Sequence, residues 1–408
     1  MYEPTPVHIL VRATGLTLAL LGLLAGCAAP ASTLSYNAGL EPGAETVWPL
    51  PPDPLRIQYQ GELTSQESIG FTHSLGERVR RMVFGGDLGE DILVHRPFDV
   101  HVGIDGSIYV TNGMQGSVMR FHPERRDAER MTPTGAGVLV KPMGLSGDDQ
   151  GLLYVADPVQ RRVVALTAQG DFVRAYGGQG VLLNPVDVAV SAAGDRIYVA
   201  DSYLHQVVVF AGDGTLLRRI GRDQGSIEEK QERRALLASA APGHPVSEPS
   251  DLTDNRGNGP GEFRYPAFID VGPDGTVYVS DGMNFRVQAF DREGEFRFAF
   301  GRQGDAPGAF ARPKGLAVST EGHVYVADAA FNNVQIFDAE GQLLLSFGAI
   351  GGGPGQLWPP LGLAIDASDR IYVADRYNSR IQMYQYHPDS QAPAGDPSNA
   401  SSTSGANR

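Results

Sequence analysis

Short runs of β-branched and aromatic residues alternate with turn residues through most of the chain. Between Arg312 and Gly348 there are four such runs, LAV, HVYVA, VQIF and LLLSF, and the joints between them are filled by Gly, Asp, Glu and Asn. This pattern is typical of β-hairpins and predicts a four-stranded antiparallel sheet. A sheet of this size cannot bury both faces alone, so it needs similar neighbours.

The chain supplies those neighbours, because the same unit occurs six times. The second run of each copy begins at Tyr109, Tyr154, Tyr198, Tyr278, Tyr325 and Tyr372. A proline precedes the first run of each copy, at Pro97, Pro142, Pro185, Pro266, Pro313 and Pro360. The tyrosines are 45, 44, 80, 47 and 47 residues apart. A four-stranded repeat of this length predicts an all-β, six-bladed β-propeller with four-stranded antiparallel blades.

The two recurring motifs, P-x-[DG]-Φ-A-Φ and Y-V-A-D-x-x-x-x-x-V-x-Φ-F, resemble the NHL repeat. The resemblance extends from about Pro97 to Tyr386 and recurs in all six copies. It implies the same six-bladed propeller, for which we assign residues 55–387.

The sixth copy has no fourth strand after Tyr386, and an open edge would leave a ladder unpaired. Residues 55–63 (LRIQYQGEL) alternate apolar and polar positions with a period of two. We therefore predict that this segment closes the ring on the last blade. The competing donor is the segment at 79–85. Its apolar residues have helical spacing, so residues 74–84 are predicted to form a short amphipathic helix instead.

The spacing of 80 contains an insertion, which we place at residues 222–258. Residues 227–240 are rich in helix formers and Ser226 is a suitable N-cap, so one helical insertion is predicted. It joins an outer strand to the next inner strand. We expect that connection to lie at the channel mouth, where the insertion would overhang it.

The N-terminus carries an apolar run, LTLALLGLL, followed by the sequence LAGC that ends at Cys27. This tetrapeptide resembles a bacterial lipobox. The resemblance implies that residues 1–26 are a lipoprotein signal peptide and that Cys27 is lipidated, so that the protein is anchored to a membrane; an uncleaved anchor or an ordinary secretory signal are the alternatives. Ala28 in place of Asp implies the outer membrane of the cell envelope, facing the periplasm or the cell surface.

Composition predicts the segments that flank the propeller. Residues 27–54, rich in Ala, Pro, Ser and Gly, are expected to form a flexible tether, and residues 388–408 a disordered tail. Cys27 is the single cysteine, so no internal disulfide is available. The net charge of -14 argues against binding to nucleic acid. The nine histidines have no metal-ligand spacing, and we predict no metal, cofactor or catalytic set.

Two groups of polar residues are candidates for function. The Asp of Y-V-A-D is expected to bond the adjoining loops, the alternative being a ring of carboxylates for a cation. Residues that differ between blades are better candidates for binding, because a ligand site needs asymmetry. Five of them are expected to line the channel mouth and to bind an anionic ligand or an acidic tail, unless they are solvated rim residues: Arg96, Asp99, Lys141, Asp187 and Arg312.

The sequence thus favours a monomeric, membrane-anchored propeller that acts as a binding scaffold for a protein or a ligand. Bacterial lipoproteins that resemble it imply a role beside extracytoplasmic redox or cytochrome systems. The alternative is an enzyme that uses the channel, similar to peptidyl-hydroxyglycine lyase or to a metal-dependent lactonase.

Overall fold

A computed structural model of the protein describes residues 46–50, 53–71, 92–178, 180–222 and 255–388. The regular secondary structure of these residues is almost entirely β-strand. In chain order the strands are β1 (Val47–Trp48), β2 (Ile57–Leu63), β3 (Asp99–Val102), β4 (Ile108–Thr111), β5 (Val118–His122), β6 (Asp127–Met131), β7 (Leu145–Gly147), β8 (Leu153–Asp157), β9 (Arg162–Leu166), β10 (Phe172–Gly177), β11 (Pro185–Val190), β12 (Arg196–Asp201), β13 (Gln206–Ala211), β14 (Leu216–Ile220), β15 (Pro266–Val271), β16 (Val277–Asp281), β17 (Arg286–Phe290), β18 (Phe296–Phe300), β19 (Pro313–Val318), β20 (Val324–Asp328), β21 (Asn333–Phe337), β22 (Leu343–Phe347), β23 (Ala349–Ile350), β24 (Gln356–Leu357), β25 (Pro360–Ile365), β26 (Arg370–Asp375) and β27 (Arg380–Tyr386). Two 3-10 turns, Gln66–Ile69 and Gly135–Gly137, are the helices within this part of the chain, where no helix has the length and apolar composition of a membrane span.

All strands except β23 and β24 form six antiparallel sheets arranged in a ring, and β23 and β24 form a separate two-stranded parallel pair. Strands β3 to β6 form blade 1, β7 to β10 blade 2, β11 to β14 blade 3, β15 to β18 blade 4, and β19 to β22 blade 5. Blade 6 is built from β25, β26, β27 and β2. The first strand of each blade is the inner one, and each inner strand contacts the next around the axis, with β25 against β3. The predicted six-bladed fold is confirmed.

The ring closes through the N-terminal strand. Strand β2 pairs antiparallel with β27 in a register that sets Ile57 opposite Tyr386 and Leu63 opposite Ile381. Ile57 and Leu63 are fully buried, as the alternating pattern predicts for one face of this strand. The structure thus has the antiparallel pairing expected of residues 55–63.

The flexible tether predicted for residues 27–54 extends too far toward the C-terminus. Val47 and Trp48 form β1, which pairs with β2 as a fifth strand of blade 6. The Trp48 ring lies 5.8 Å from the ring of Phe347 and 5.9 Å from that of Tyr384. Apolar contact with blades 5 and 6 explains why this part of the Pro-rich segment has a fixed position.

The hydrophobic core lies between adjacent blades. Phe121 and Val100 of blade 1, for example, share one cluster with Met383 and Ile381 of blade 6. Because both faces of every blade are covered in this way, the middle strands are buried along most of their length, and Leu153–Asp157 is buried at every position. The closed ring gives each blade two neighbours, and the inner strands are held around a narrow channel.

Several predicted segments lie outside the described residues. They are the signal peptide at 1–26 with Cys27, the helix at 74–84, residues 223–254 of the insertion and the tail from 389 onward. The C-terminal end of the insertion is described as irregular loop, and Asn255 Nδ2 donates a hydrogen bond of 3.1 Å to the Leu204 carbonyl oxygen.

Candidate functional site

The Asp of Y-V-A-D has a structural role in the blades. The carboxylate of Asp201 accepts hydrogen bonds from the backbone N–H groups of Leu183 at 2.7 Å and Leu204 at 3.0 Å. Asp157, Asp281, Asp328 and Asp375 likewise bind the residues that precede their own inner strands. Each carboxylate joins the turn after the second strand to the connection that enters the blade. The structural interpretation of this residue is confirmed.

One end of the channel is closed by aromatic side chains. The rings of Phe98 in blade 1 and Phe268 in blade 4 stack across the axis, with centroids 5.5 Å apart and planes at 18°. Ala267 and Leu361 complete this hydrophobic cluster. All four residues lie at the start of inner strands, so we call this end of the ring the closed end. The turns between second and third strands also lie there.

The other end of the channel contains a cavity of about 560 Å³. Its walls are the C-terminal halves of the inner strands and the turns that follow them, and we call this end the open end. Three aspartates from three different inner strands line the cavity: Asp99, Asp187 and Asp270. Asp99 and Asp187 are both 3% exposed. Within the described residues, no three acidic, His or Cys side chains converge as a set of metal ligands would.

Each of these carboxyl groups joins neighbouring blades. Through Oδ2, Asp99 accepts a hydrogen bond of 2.8 Å from Leu145 N, and Asp187 accepts one of 2.9 Å from Ile269 N. Asp270 accepts one of 2.8 Å from Val318 N. In each pair the donor belongs to the next blade around the ring.

Glycines make room for two of the carboxyl groups. A Cβ on Gly362 would clash with Asp99 Oδ1, and a Cβ on Gly144 would clash with Asp187 Oδ1. The Asp and Gly residues that share one repeat position therefore interlock between blades. This explains the variation between Asp and Gly that the sequence shows at this position.

Burial changes the proton affinity of the cavity residues. Loss of solvent raises the pKa of Asp99 to about 7 and that of Asp270 to about 6. Burial, followed by the neighbouring Asp99 carboxylate, raises the pKa of Asp187 well above its ordinary value. Burial lowers the pKa of His101, which also lines the cavity, to about 4. Groups with such shifts in a cleft are candidates for binding or proton transfer.

The five candidates for the channel mouth occupy two places. Asp99 and Asp187 line the cavity, as just described, whereas Arg96, Lys141 and Arg312 precede the inner strands at the closed end and are exposed. The Arg96 guanidinium lies over the Tyr377 ring, 5.8 Å from its centroid. A single mouth lined by all five residues is therefore not what the structure has, because Phe98 and Phe268 separate the two groups.

The described ends of the insertion, Arg222 and Asn255, belong to a connection between outer and inner strands, and such connections meet the closed end. The cavity opens at the opposite end. The predicted overhang of the channel mouth falls on residues 223–254, which lie outside the described residues.

Four stretches of the chain match the family model of the NHL repeat: residues 182–210, 263–290, 310–337 and 357–384. They cover the first three strands of blades 3 to 6. This chain is an NHL-repeat β-propeller.

Solved structures share the fold of this NHL propeller at low sequence identity. A gluconolactonase from Xanthomonas campestris aligns with a TM-score of 0.50 at 15% identity, over 85% of this chain and 98% of its own. A structural-genomics protein of unknown function from Bacteroides thetaiotaomicron gives 0.51 at 16% identity, over 74% and 72%. Virginiamycin B lyase from Staphylococcus aureus gives 0.48 at 13% identity, over 75% and 86%. No curated protein matches the sequence.

The NHL propeller carries an apolar ring at its closed end that the sequence reasoning missed. The second residue after the Y-V-A-D aspartate, or after Asn112 in blade 1, is exposed in every blade. Five of the six side chains are large and apolar, with exposed fractions of 47% to 57%. The six residues are Met114, Val159, Tyr203, Met283, Ala330 and Tyr377. Comparing this position across the six copies would have revealed the pattern.

More exposed apolar residues lie beside this apolar ring, in the connections that enter the blades. They are Val140, Tyr265 and Trp358. The Trp358 and Tyr377 rings meet edge to face at 5.6 Å. The closed end therefore combines aromatic and aliphatic surface from at least five blades.

Charge is unevenly distributed between the two ends of the NHL propeller. At the closed end we count the charged residues in two sets of segments. One set is the turns between second and third strands, and the other is the four residues before each blade proline; the structure describes every residue of both sets. Their charged residues are six bases and one acid: Arg96, Lys141, Arg161, Arg264, Arg312, Arg376 and Glu262. At the open end, the turns between first and second strands contain eight acids and neither Lys nor Arg: Asp105, Asp148, Asp149, Asp195, Asp274, Glu321, Asp366 and Asp369.

Proposed function

We propose that this NHL propeller is a binding scaffold that docks a protein partner on its closed end. The observation that carries the proposal is the apolar ring, in which five of six equivalent positions expose a large apolar side chain. Exposed apolar surface rimmed by polar residues is typical of interaction sites. Tyr, Trp, Met and Arg are the residues enriched at protein interfaces, and all four types are present here.

The charge of the closed end indicates the kind of partner. The turns and blade-entry segments counted at this end carry six basic residues and one acidic residue, although the whole chain has a net charge of -14. A partner with an acidic, partly apolar surface would match it and would be attracted at long range. This agrees with the recognition of an acidic tail that Arg96, Lys141 and Arg312 suggested from the sequence.

The proposal includes a place in the cell envelope. The lipobox-like sequence at Cys27 supports a lipid anchor at the outer membrane, from which the ring is presented to partners. We propose an extracytoplasmic redox or cytochrome complex as the assembly it accompanies, on the family resemblance of lipoproteins of this kind.

The docking test places a photo-crosslinking amino acid at Tyr203 in the apolar ring. A matched control carries it at Phe296, an exposed residue on the outer strand β18. We expect the Tyr203 position to crosslink one acidic protein in cells and the Phe296 position to crosslink none of it. The double variant Lys141→Glu/Arg312→Glu should weaken that complex at least tenfold, because it reverses two of the six basic charges. Equal labelling from both positions would contradict the proposal, as would an unchanged complex in the double variant; Arg125→Glu, in a turn at the open end, is the control.

A separate prediction concerns the anchor. In Cys27→Ser, we expect the protein to lose metabolic labelling with palmitate and to leave the membrane fraction, because the thioether that would carry the lipid cannot form. Fractionation and labelling of the full-length chain measure this. Membrane retention of the unlabelled variant would support an uncleaved apolar anchor instead.

The cavity favours a second candidate function, which is an enzyme of the lyase or lactonase type. The observation in its favour is the set of three carboxyl groups with raised pKa values in one cleft, of which Asp99 and Asp187 are buried. An activity screen with lactones and peptidyl-hydroxyglycine substrates, each with added Zn²⁺ or Ca²⁺, tests it. Turnover that Asp187→Asn abolishes would establish this candidate, and absence of turnover in all combinations would reject these two reaction types.

A further inference from the structure

The cavity at the open end has an acidic floor. Its wall is formed by the inner strands of all six blades, and the side chains of Leu145, Val188, Leu316 and Leu363 on these strands belong to the cores between blades. Asp99 and Asp187 lie next to Phe268, at the inner limit of the cavity. A volume of about 560 Å³ is large enough for a small organic molecule.

One carboxyl oxygen at the floor has no partner. Oδ2 of Asp187 accepts the Ile269 N–H, but Oδ1 is buried without a hydrogen bond, in a residue that is 3% exposed. Oδ1 lies where a Cβ on Gly144 would stand. Asp187 itself lines the cavity. A buried acceptor without a donor costs free energy that a ligand N–H would recover.

The rim adds negative charge. Asp149, Asp195 and Asp274 belong to the turns at the mouth and line the cavity. Arg292 is the one lysine or arginine among the lining residues, and it is paired with Asp195. The field at the mouth therefore attracts cations and repels anions.

We infer that this cavity binds a small organic ammonium ion, whose N–H groups donate to the Asp187 carboxyl group and face Asp99. The ammonium group compensates the buried carboxyl charge. A divalent metal ion fits less well, because it requires several converging oxygen ligands, and Oδ2 of each floor carboxyl already accepts a backbone N–H. The site is at the opposite end of the ring from the docking surface and does not depend on it.

Binding should become tighter as pH rises. An ammonium ion favours the ionised carboxylates, whereas burial and mutual repulsion among Asp99, Asp187 and Asp270 favour their protonated forms. The other titratable groups that line the cavity are His101, which is neutral above its lowered pKa of about 4, and the rim residues Asp149, Asp195, Asp274 and Arg292. A ligand that displaces one proton gains up to tenfold in affinity per pH unit below the carboxyl pKa.

The test is calorimetric titration of the full chain with phenethylammonium at pH 5.5, 6.5 and 8. The neutral isostere 2-phenylethanol and the anion phenylacetate are matched controls, and Ca²⁺ and Zn²⁺ are titrated separately. We expect the amine to bind at least tenfold more tightly than the alcohol at pH 8, with affinity falling at pH 5.5. Asp187→Asn should weaken amine binding at least tenfold, and Asp171→Asn, in a turn outside the cavity, should leave it unchanged.

Three results would overturn the inference: equal affinity for amine and alcohol, an unchanged dissociation constant in Asp187→Asn, or a response to metal ions without one to the amine. If Asp187→Asn fails to fold, Ser146→Phe is the variant that decides. A phenylalanine at this lining position would fill the cavity from the wall and leave the floor carboxyls in place, so amine binding should be lost. Failure of amine binding leaves crosslinking at Tyr203 unaffected, so the two proposals are separable.

Discussion

Deleting residues 1–63 is expected to abolish folding of the propeller, although every residue of the six inner strands remains. The deletion removes β2, the outer strand of blade 6, and with it Ile57, Tyr59 and Leu63, which are at most 6% exposed. Burial of three such side chains contributes about 5–9 kcal/mol. That is comparable with the whole stability of a typical domain, about 5–15 kcal/mol. The exposed edge of β27 would also invite aggregation.

Circular dichroism and denaturant titration of the deletion variant measure this effect. The control is a deletion of residues 1–45, which leaves β1 and β2 in place and should keep the melting temperature of the full chain. Attaching residues 53–63 after His387 through a short turn should restore folding, because Ile57 lies opposite Tyr386 and His387 N already donates to the Arg56 carbonyl oxygen at 2.8 Å. A folded, cooperative deletion variant would show that closure by β2 is dispensable.

The channel carboxyl groups should make the propeller more stable in mild acid than at pH 8. A carboxyl whose folded pKa is raised holds its proton in the native state after the unfolded chain has lost it, so stability declines from the unfolded pKa up to the folded one. For Asp99 this window runs from 3.8 to about 7, and for Asp270 from 3.8 to about 6. At 1.36 kcal/mol per unit, each group costs about 3–4 kcal/mol across its window.

Two histidines oppose this trend at lower pH. Burial lowers the pKa values of His101 and His122, so their contribution to stability is lost as pH falls below the unfolded value of 6.5. Three carboxyl groups outnumber two histidines, so the net free energy of unfolding is expected to rise from pH 8 to pH 5.

Replacing the carboxyl groups isolates their effect. Asp99→Asn/Asp187→Asn keeps an acceptor for Leu145 N and Ile269 N but cannot ionise, so at pH 8 it should be more stable than the native chain by several kcal/mol. Urea titrations at pH 5, 6.5 and 8 measure this, with Asp127→Asn, in the exposed outer strand β6, as the control. A native chain whose stability is flat or rising toward pH 8 would contradict these raised pKa values.

The fold could be predicted because the decisive information repeats along the chain. Strand patterns recur with one period, and a four-stranded unit of that length has few ways to bury both faces. The alternation in Ile57–Leu63 and the missing fourth strand of blade 6 together identified the closing strand. The tether was harder to delimit, because Trp48 stands among prolines, and only the nearby Phe347 and Tyr384 rings reveal what it contacts.

The candidate site was predicted less completely. Asp99 and Asp187 were recognised as departures from the repeat, but Arg96, Lys141 and Arg312 were grouped with them because all lie near the start of inner strands in the sequence. Asp270 was not recognised, because it stands two positions further along its strand than Asp99 and Asp187 do on theirs, and its hydrogen bond to Val318 joins separate blades.

By itself, the sequence determined the number of blades, the strands in each and the structural role of the Y-V-A-D aspartate. These features depend on local sequence patterns that recur in the six copies. The tertiary structure decided what happens on the axis. Residues from different blades meet on the axis. Their distance along the chain does not predict their distance in space. Phe98 and Phe268 close one end, buried carboxyls line the other, and the charges of the acidic chain divide between the two faces.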